Sequence, residues 1–249
     1  MRKSNYVTLT RGGNVRLVCF PWSGAGALPF RGWSAVAPDE IDLVVARRAG
    51  REDRYRESAP TELDQLVQEL VDDLDTDGSY VFLGHCLGAL LAVEVCRELR
   101  RRGLPGPTRL SVVGDPPVQS GDRTPVTDVR AEIRRTGAMA PAVLDDPDVW
   151  PLIEPVISAD LALAVSYRYR REEPLDLPID VFLAGTSTAE ERAIFTDWAV
   201  ETTGPVTFHE IDGESLMPHG AWETLAGSVF AACAAAQAGH TGTAPTGTA

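Results

Sequence analysis

The stretch LGHCLGALLAVEVC, residues 83–96, decides how this chain is read. Gly84-His85-Cys86-Leu87-Gly88 has the frame of a G-x-S-x-G nucleophile elbow, a tight turn that presents one side chain between a strand and a helix. The residues before it, YVFLG at 80–84, are β-branched and aromatic in the manner of a buried strand. Those after it, 87–102, are apolar on nearly all sides until the basic end RELRRRG, which predicts a buried helix. The middle residue of the elbow is a cysteine. The question is what such a site does when its hydroxyl becomes a thiol.

Working outward, short apolar runs alternate with longer stretches of helical spacing, the order of an α/β chain with a mostly parallel central sheet flanked by helices. The predicted strands are VRLVCF at 15–20, DLVVA at 42–46, YVFLG at 80–84, RLSVVG at 109–114, IDVFLA at 179–184 and VTFHEI at 206–211. Between the fourth and fifth of these lie about sixty residues, too many for a plain connection. Their helical character predicts a lid over residues 118–175, inserted after the strand ending near 114. Residues 1–235 are expected to form a single domain. The small and polar residues of 236–249, His240 among them, are expected to form a disordered tail.

The chain has 249 residues, 44% of them hydrophobic, enough for one sizeable core. Its formal net charge of −13 argues against nucleic acid or an anionic membrane as a partner, since either asks for a basic face. The amino-terminal MRKSNYVTLTRGG has no apolar signal-like run, and nothing approaches the roughly 18 residues that span a bilayer. A cytoplasmic location is expected. Four cysteines, Cys19, Cys86, Cys96 and Cys233, have neither metal-ligand spacing nor disulfide density, so three are expected to be inert packing residues and no metal is expected.

The stretches FPWSGAG at 20–26, AGREDR at 49–54, GHCLGA at 84–89 and IEPVISADLALAVSYRYRREEPLDLPIDVFLAG at 153–185, with the strand and loop near 206–220, resemble the type II thioesterases of polyketide and nonribosomal peptide pathways. The resemblance runs through nearly the whole chain. It implies an α/β-hydrolase fold with a lid, acting on acyl groups held as thioesters on the phosphopantetheine arms of acyl- or peptidyl-carrier proteins. No bound cofactor is implied, because phosphopantetheine arrives with the substrate.

Three positions depart from the family pattern. Cys86 stands where the family usually has serine. After VFLAG, where its type II members place an acid, the chain reads TSTAEER, with Thr188 or Ala189 at the aligned position and Glu190 nearby. Ser215, in Gly213-Glu214-Ser215-Leu216, stands at the position of the base histidine. Replacements can be sought locally. Asp115, at the end of the strand after the nucleophile helix, is where related type I thioesterases carry their acid; a loop cap before the proline pair is the alternative. His219, four residues past Ser215, is the candidate base, with a surface or helix-start histidine as the alternative. His209 reads as a packed or edge-strand residue and His85 as support for the elbow.

The chemistry of the thiol sets what Cys86 can do without a base. The thiolate is the attacking species, a free cysteine has a pKa of about 8.5, and a helix amino end favours the anion. Attack on a thioester exchanges one thioester for another, with a stable thiolate leaving. Hydrolysis of the acyl-enzyme is harder, because water must lose a proton and general-base help is worth roughly 10² to 10⁴-fold. The oxyanion donors expected are the backbone N–H groups of Leu87 and Ser23. Trp22 and Phe30 are candidates to line an acyl channel or to pack. Arg47, Arg48, Arg51 and Arg54, and Arg97, Arg100, Arg101 and Arg102, are expected to be mostly solvated surface charge, some of it available to an acidic carrier. Three classes stay open: a Cys86 acyl-enzyme that hydrolyses or transfers, an acyltransferase shuttle or cyclising release enzyme with little hydrolysis, and a non-catalytic protein that binds carrier or acyl chain.

Overall fold

The computed structural model describes residues 3–114, 116–118 and 125–240. Seven strands form one sheet: β1 (Tyr6–Thr8), β2 (Val15–Phe20), β3 (Ile41–Ala46), β4 (Ser79–His85), β5 (Leu110–Val113), β6 (Ile179–Ala184) and β7 (Val206–Ile211). Their spatial order is β1-β3-β2-β4-β5-β6-β7, all parallel except β1. The six strands predicted from the sequence are all present, with ends shifted by a residue at most. The edge strand β1 is the addition; at three residues it is too short to leave a pattern.

Both faces of the sheet are covered, which is why its strands read as continuous apolar runs. Alternate residues serve opposite sides. Val18, Phe20, Tyr80 and Phe82 pack with α2 (Leu63–Asp73) and α3 (Leu87–Arg101). Leu17, Cys19, Val81 and Leu83 pack with α1 (Arg31–Ser34) and α8 (Trp222–His240). Helix α3 follows the elbow at once and ends one residue before the predicted limit. Its contact with the sheet depends on two glycines: a methyl on Gly88 would overlap the Phe20 carbonyl, and one on Gly84 the Ala89 backbone.

A helical lid stands between β5 and β6, made of α4 (Val129–Thr136), α5 (Pro141–Leu144) and α6 (Trp150–Ser166). Ile133, Leu144, Trp150 and Ile157 form a small apolar cluster within it. Farther along α6, Leu163 and Ala164 join the main core, so one helix belongs to both lid and body. Helix α7 (Ala189–Phe195) follows β6. The backbone of α8 runs to His240, five residues into the stretch expected to be disordered; residues 241–249 lie outside the described residues. No helix among the described residues is long and apolar enough to cross a membrane.

Candidate functional site

Cys86 occupies the turn between β4 and α3 with φ 50° and ψ −121°, backbone angles that glycine tolerates and other residues resist. Such a conformation costs of order 1–3 kcal/mol and persists only where the surroundings over-determine it. Here the Cys86 N–H donates to the Val113 carbonyl at 3.0 Å, and the two close-packed glycines leave the turn no room to relax. The half-buried side chain lines a cavity of about 650 Å³, with Sγ 3.8 Å from the Gly114 carbonyl oxygen. Leu87, the first residue of α3, and Ser23 line the same cavity. The Leu87 N–H belongs to the first helical turn, whose donors have no partner within the helix.

His85 is 3% exposed, its ring 5.1 Å from Trp22 and stacked 6.0 Å from Trp222. Burial pushes its pKa down to about 3, so the ring is neutral near pH 7, and it lines the same cavity as Cys86. Trp22 lines the cavity. Phe30 does not: it is fully buried against Trp33 and Trp222, with ring centroids 5.2 Å from each.

The other two departing positions, Thr188 and Ser215, line the same cavity as Cys86. Thr188 caps α7, its hydroxyl accepting from the Glu191 N–H at 3.2 Å while Glu191 accepts from the Thr188 N–H at 2.8 Å. Ser215 accepts from the Met217 N–H at 3.2 Å and its carbonyl accepts from the Ala221 N–H at 2.7 Å. Both side chains are thus engaged in turn structure. His219 is exposed and lines a second cavity of about 690 Å³, beside Pro218, Leu28, Val143, Leu152 and Val156. Trp22, Ser23, Ile133 and Ala138 are common to the walls of both. Asp115 lies outside the described residues. His209 sits on edge strand β7, stacked 4.6 Å from Phe182, with Nε2 2.8 Å from the buried Asp180.

The arginine expectation needs correction. Arg48 is 0% exposed and Arg51 and Arg54 are also buried. Arg48 and Arg51 converge on Asp160 of α6, itself 1% exposed, with nitrogen–oxygen distances of 2.8 Å. Burial by itself would raise the Asp160 carboxyl, but Arg48 and Arg51 outweigh it and hold the group well below the usual carboxylate range. Arg97 is buried too, between Glu94 at 2.7 Å and Glu201 at 2.9 Å. Arg47 is partly buried and pairs with Asp53, whereas Arg100, Arg101 and Arg102 keep surface character, paired with Glu98, Glu172 and Asp72. A lone aspartate in the apolar run VISADLALAV was the available signal for this cluster: a buried carboxylate needs cationic partners.

Comparison with known proteins places this geometry among relatives. The sequence profile of the thioesterase domain matches residues 15–233. The gramicidin S biosynthesis protein GrsT of Aneurinibacillus migulanus is 31% identical over 176 residues, 68% of this chain and 69% of that protein. Among solved structures, RedJ, a thioesterase from the prodiginine pathway of Streptomyces coelicolor, superimposes with TM-score 0.80 at 30% identity, covering 88% of this chain and 90% of RedJ. BorB, a type II thioesterase from the borrelidin cluster, shares the fold with TM-score 0.76 at 22% identity, covering 95% and 99%.

Proposed function

Since the chain belongs to the thioesterase family, enzymes of the α/β-hydrolase superfamily, we propose that it acts as a type II thioesterase through a Cys86 acyl-enzyme. Its substrates are acyl groups carried as thioesters on the phosphopantetheine arms of acyl- or peptidyl-carrier proteins, in polyketide or nonribosomal peptide biosynthesis. The observation that carries the reading is the Cys86 backbone, held at φ 50° on an intact elbow with its side chain in the cavity. The named pathways of GrsT, RedJ and BorB support the substrate class.

In the first step the Cys86 thiolate attacks the thioester carbonyl carbon, and a new C–S bond forms. The carbonyl electrons move onto oxygen, where the N–H groups of Leu87 and Ser23 stabilise them. The oxyanion collapses, the C–S bond to pantetheine breaks, and the pantetheine thiolate leaves to take up a proton. One thioester has replaced another, so little base help is needed. The chemistry draws on the chain's own groups and calls for no resident cofactor.

The second step delivers the acyl group to water or to another nucleophile. With Ser215 in the cavity at the family's base position, and His219 lining the neighbouring cavity, deacylation by water is slow unless loop closure brings an imidazole in. That placement favours a second reading, transfer to a thiol or amine. Incubation with acyl-loaded carrier protein, followed by intact mass, tests both. A lasting acyl adduct on the protein supports transfer, and released free acid supports hydrolysis. An unchanged carrier rejects the acyl-enzyme and leaves binding alone.

A further inference from the structure

The loop carrying Ser23 is tied at several peptide groups to one buried ion cluster. Arg48 donates from Nη1 to the Pro21 carbonyl at 3.1 Å and from Nη2 to the Trp22 carbonyl at 2.9 Å, and Nη2 also meets Asp160 Oδ2 at 2.8 Å. Asp160 Oδ2 accepts from the Gly24 N–H at 2.7 Å, and Arg51 donates to the Ala25 carbonyl at 2.9 Å. The Trp22 carbonyl and the Ser23 N–H belong to the same peptide unit, which is planar and trans, so the two point in opposite directions. With its carbonyl accepting from Arg48 and, at 3.1 Å, from the Ala25 N–H, this unit aims the Ser23 N–H the other way. Ser23 and Cys86 line the same cavity.

We propose that Arg48, charge-balanced by Asp160 of the lid helix, is a positioning residue that aims the Ser23 N–H at the oxyanion formed on Cys86. The inference rests on the acyl-enzyme reading above. Stability alone is a poor reason for the cluster, because a well-packed apolar substitute for a buried ion pair is often as stable or more so. What an apolar side chain cannot do is hold two successive carbonyls in fixed directions. A guanidinium fork can, and its charge is permanent. Because Asp160 lies on α6, the oxyanion loop and the lid are built onto the same ion pair.

Two reactions of the same sulfur separate aiming from folding. Loading from an octanoyl N-acetylcysteamine thioester passes through an oxyanion; alkylation by iodoacetamide displaces iodide at a methylene carbon and does not. Arg48→Gln is expected to slow loading about 10- to 100-fold, less than the roughly 10² to 10³-fold cost of losing an oxyanion donor outright, while alkylation of Cys86 stays within about twofold of wild type. Arg51→Lys, which leaves the Trp22 carbonyl on Arg48, is expected to keep the loading-to-alkylation ratio near wild type. Should Arg48→Gln not fold, Arg48→Lys decides: one ammonium is a point donor in place of the fork, and the ratio is expected to fall about tenfold. An unchanged ratio in the folded Arg48 variants, or an equal fall in Arg51→Lys, overturns the positioning role. A wild-type protein that alkylates at Cys86 but never loads acyl overturns the acyl-enzyme reading and the positioning role with it.

Discussion

Arg51 grips Asp160 with both ends of its guanidinium, Nη1 to Oδ2 and Nη2 to Oδ1 at 2.8 Å each, and so joins the loop after β3 to lid helix α6 across 109 residues of sequence. Arg48 adds a third nitrogen to the same carboxylate, in a site sealed from water.

Asp160→Ala leaves two guanidiniums buried without their counter-charge and is expected to cost about 3–5 kcal/mol, read as a lower denaturant midpoint. The pH response follows from the direction of the shift. A carboxylate whose folded pKa is depressed stabilises fully above its unfolded value, about 3.9, and that stability is lost as pH falls toward the folded value. In Asp160→Asn the acid limb of the stability curve below about pH 4 should therefore be flatter than in wild type. A limb of unchanged steepness would assign it to other carboxylates.

Cys86→Ala is expected to abolish acyl loading with the fold intact, while alanine at Cys19, Cys96 or Cys233 leaves loading in place. Burial raises the thiols of Cys19, Cys96 and Cys233, the last to about 12, so they stay protonated and shielded. Alkylation with peptide mapping in the folded protein should mark Cys86 first. Backbone strain adds a second readout: Cys86→Gly should be about 1 kcal/mol more stable than Cys86→Ala, since only glycine adopts this turn without penalty.

Ser215→His combined with Thr188→Asp should increase release of free acid from the acyl-enzyme, by up to about 10²-fold or more if the imidazole aligns. Aspartate is itself a good helix cap, so the α7 terminus should survive the second change. Steady-state release of free acid from acyl carrier measures the gain. A wild-type rate already matching an ordinary thioesterase would mean that another base operates.

His219→Ala should leave loading unchanged, because thiolate attack on a thioester needs no base. Release is the step that tests a Cys86–His219–Asp115 set. If loop closure assembles it, His219→Ala and Asp115→Asn each lower hydrolysis and the double variant loses little more than the worse single one. Release equal to wild type in all three variants means the thiolate works with backbone donors alone.

Much of this protein was legible locally. The elbow reads from Gly84 and Gly88 because only glycine permits the helix to lie that close to β2 and β4. The six longer strands read from apolar runs, since burial on both faces demands them. Other features follow from contacts between distant segments. Tertiary packing alone turned Arg48 and Arg51 from apparent surface charge into a buried cluster on Asp160. It also put Ser215 in the cavity of Cys86 and His219 in the neighbouring one, though only three residues separate them in the chain. The physical reason is the same in both cases. Periodicity and glycine sterics act within a few residues and leave their mark in sequence, whereas the course of a loop and the partner of a buried charge depend on what the rest of the fold brings beside them.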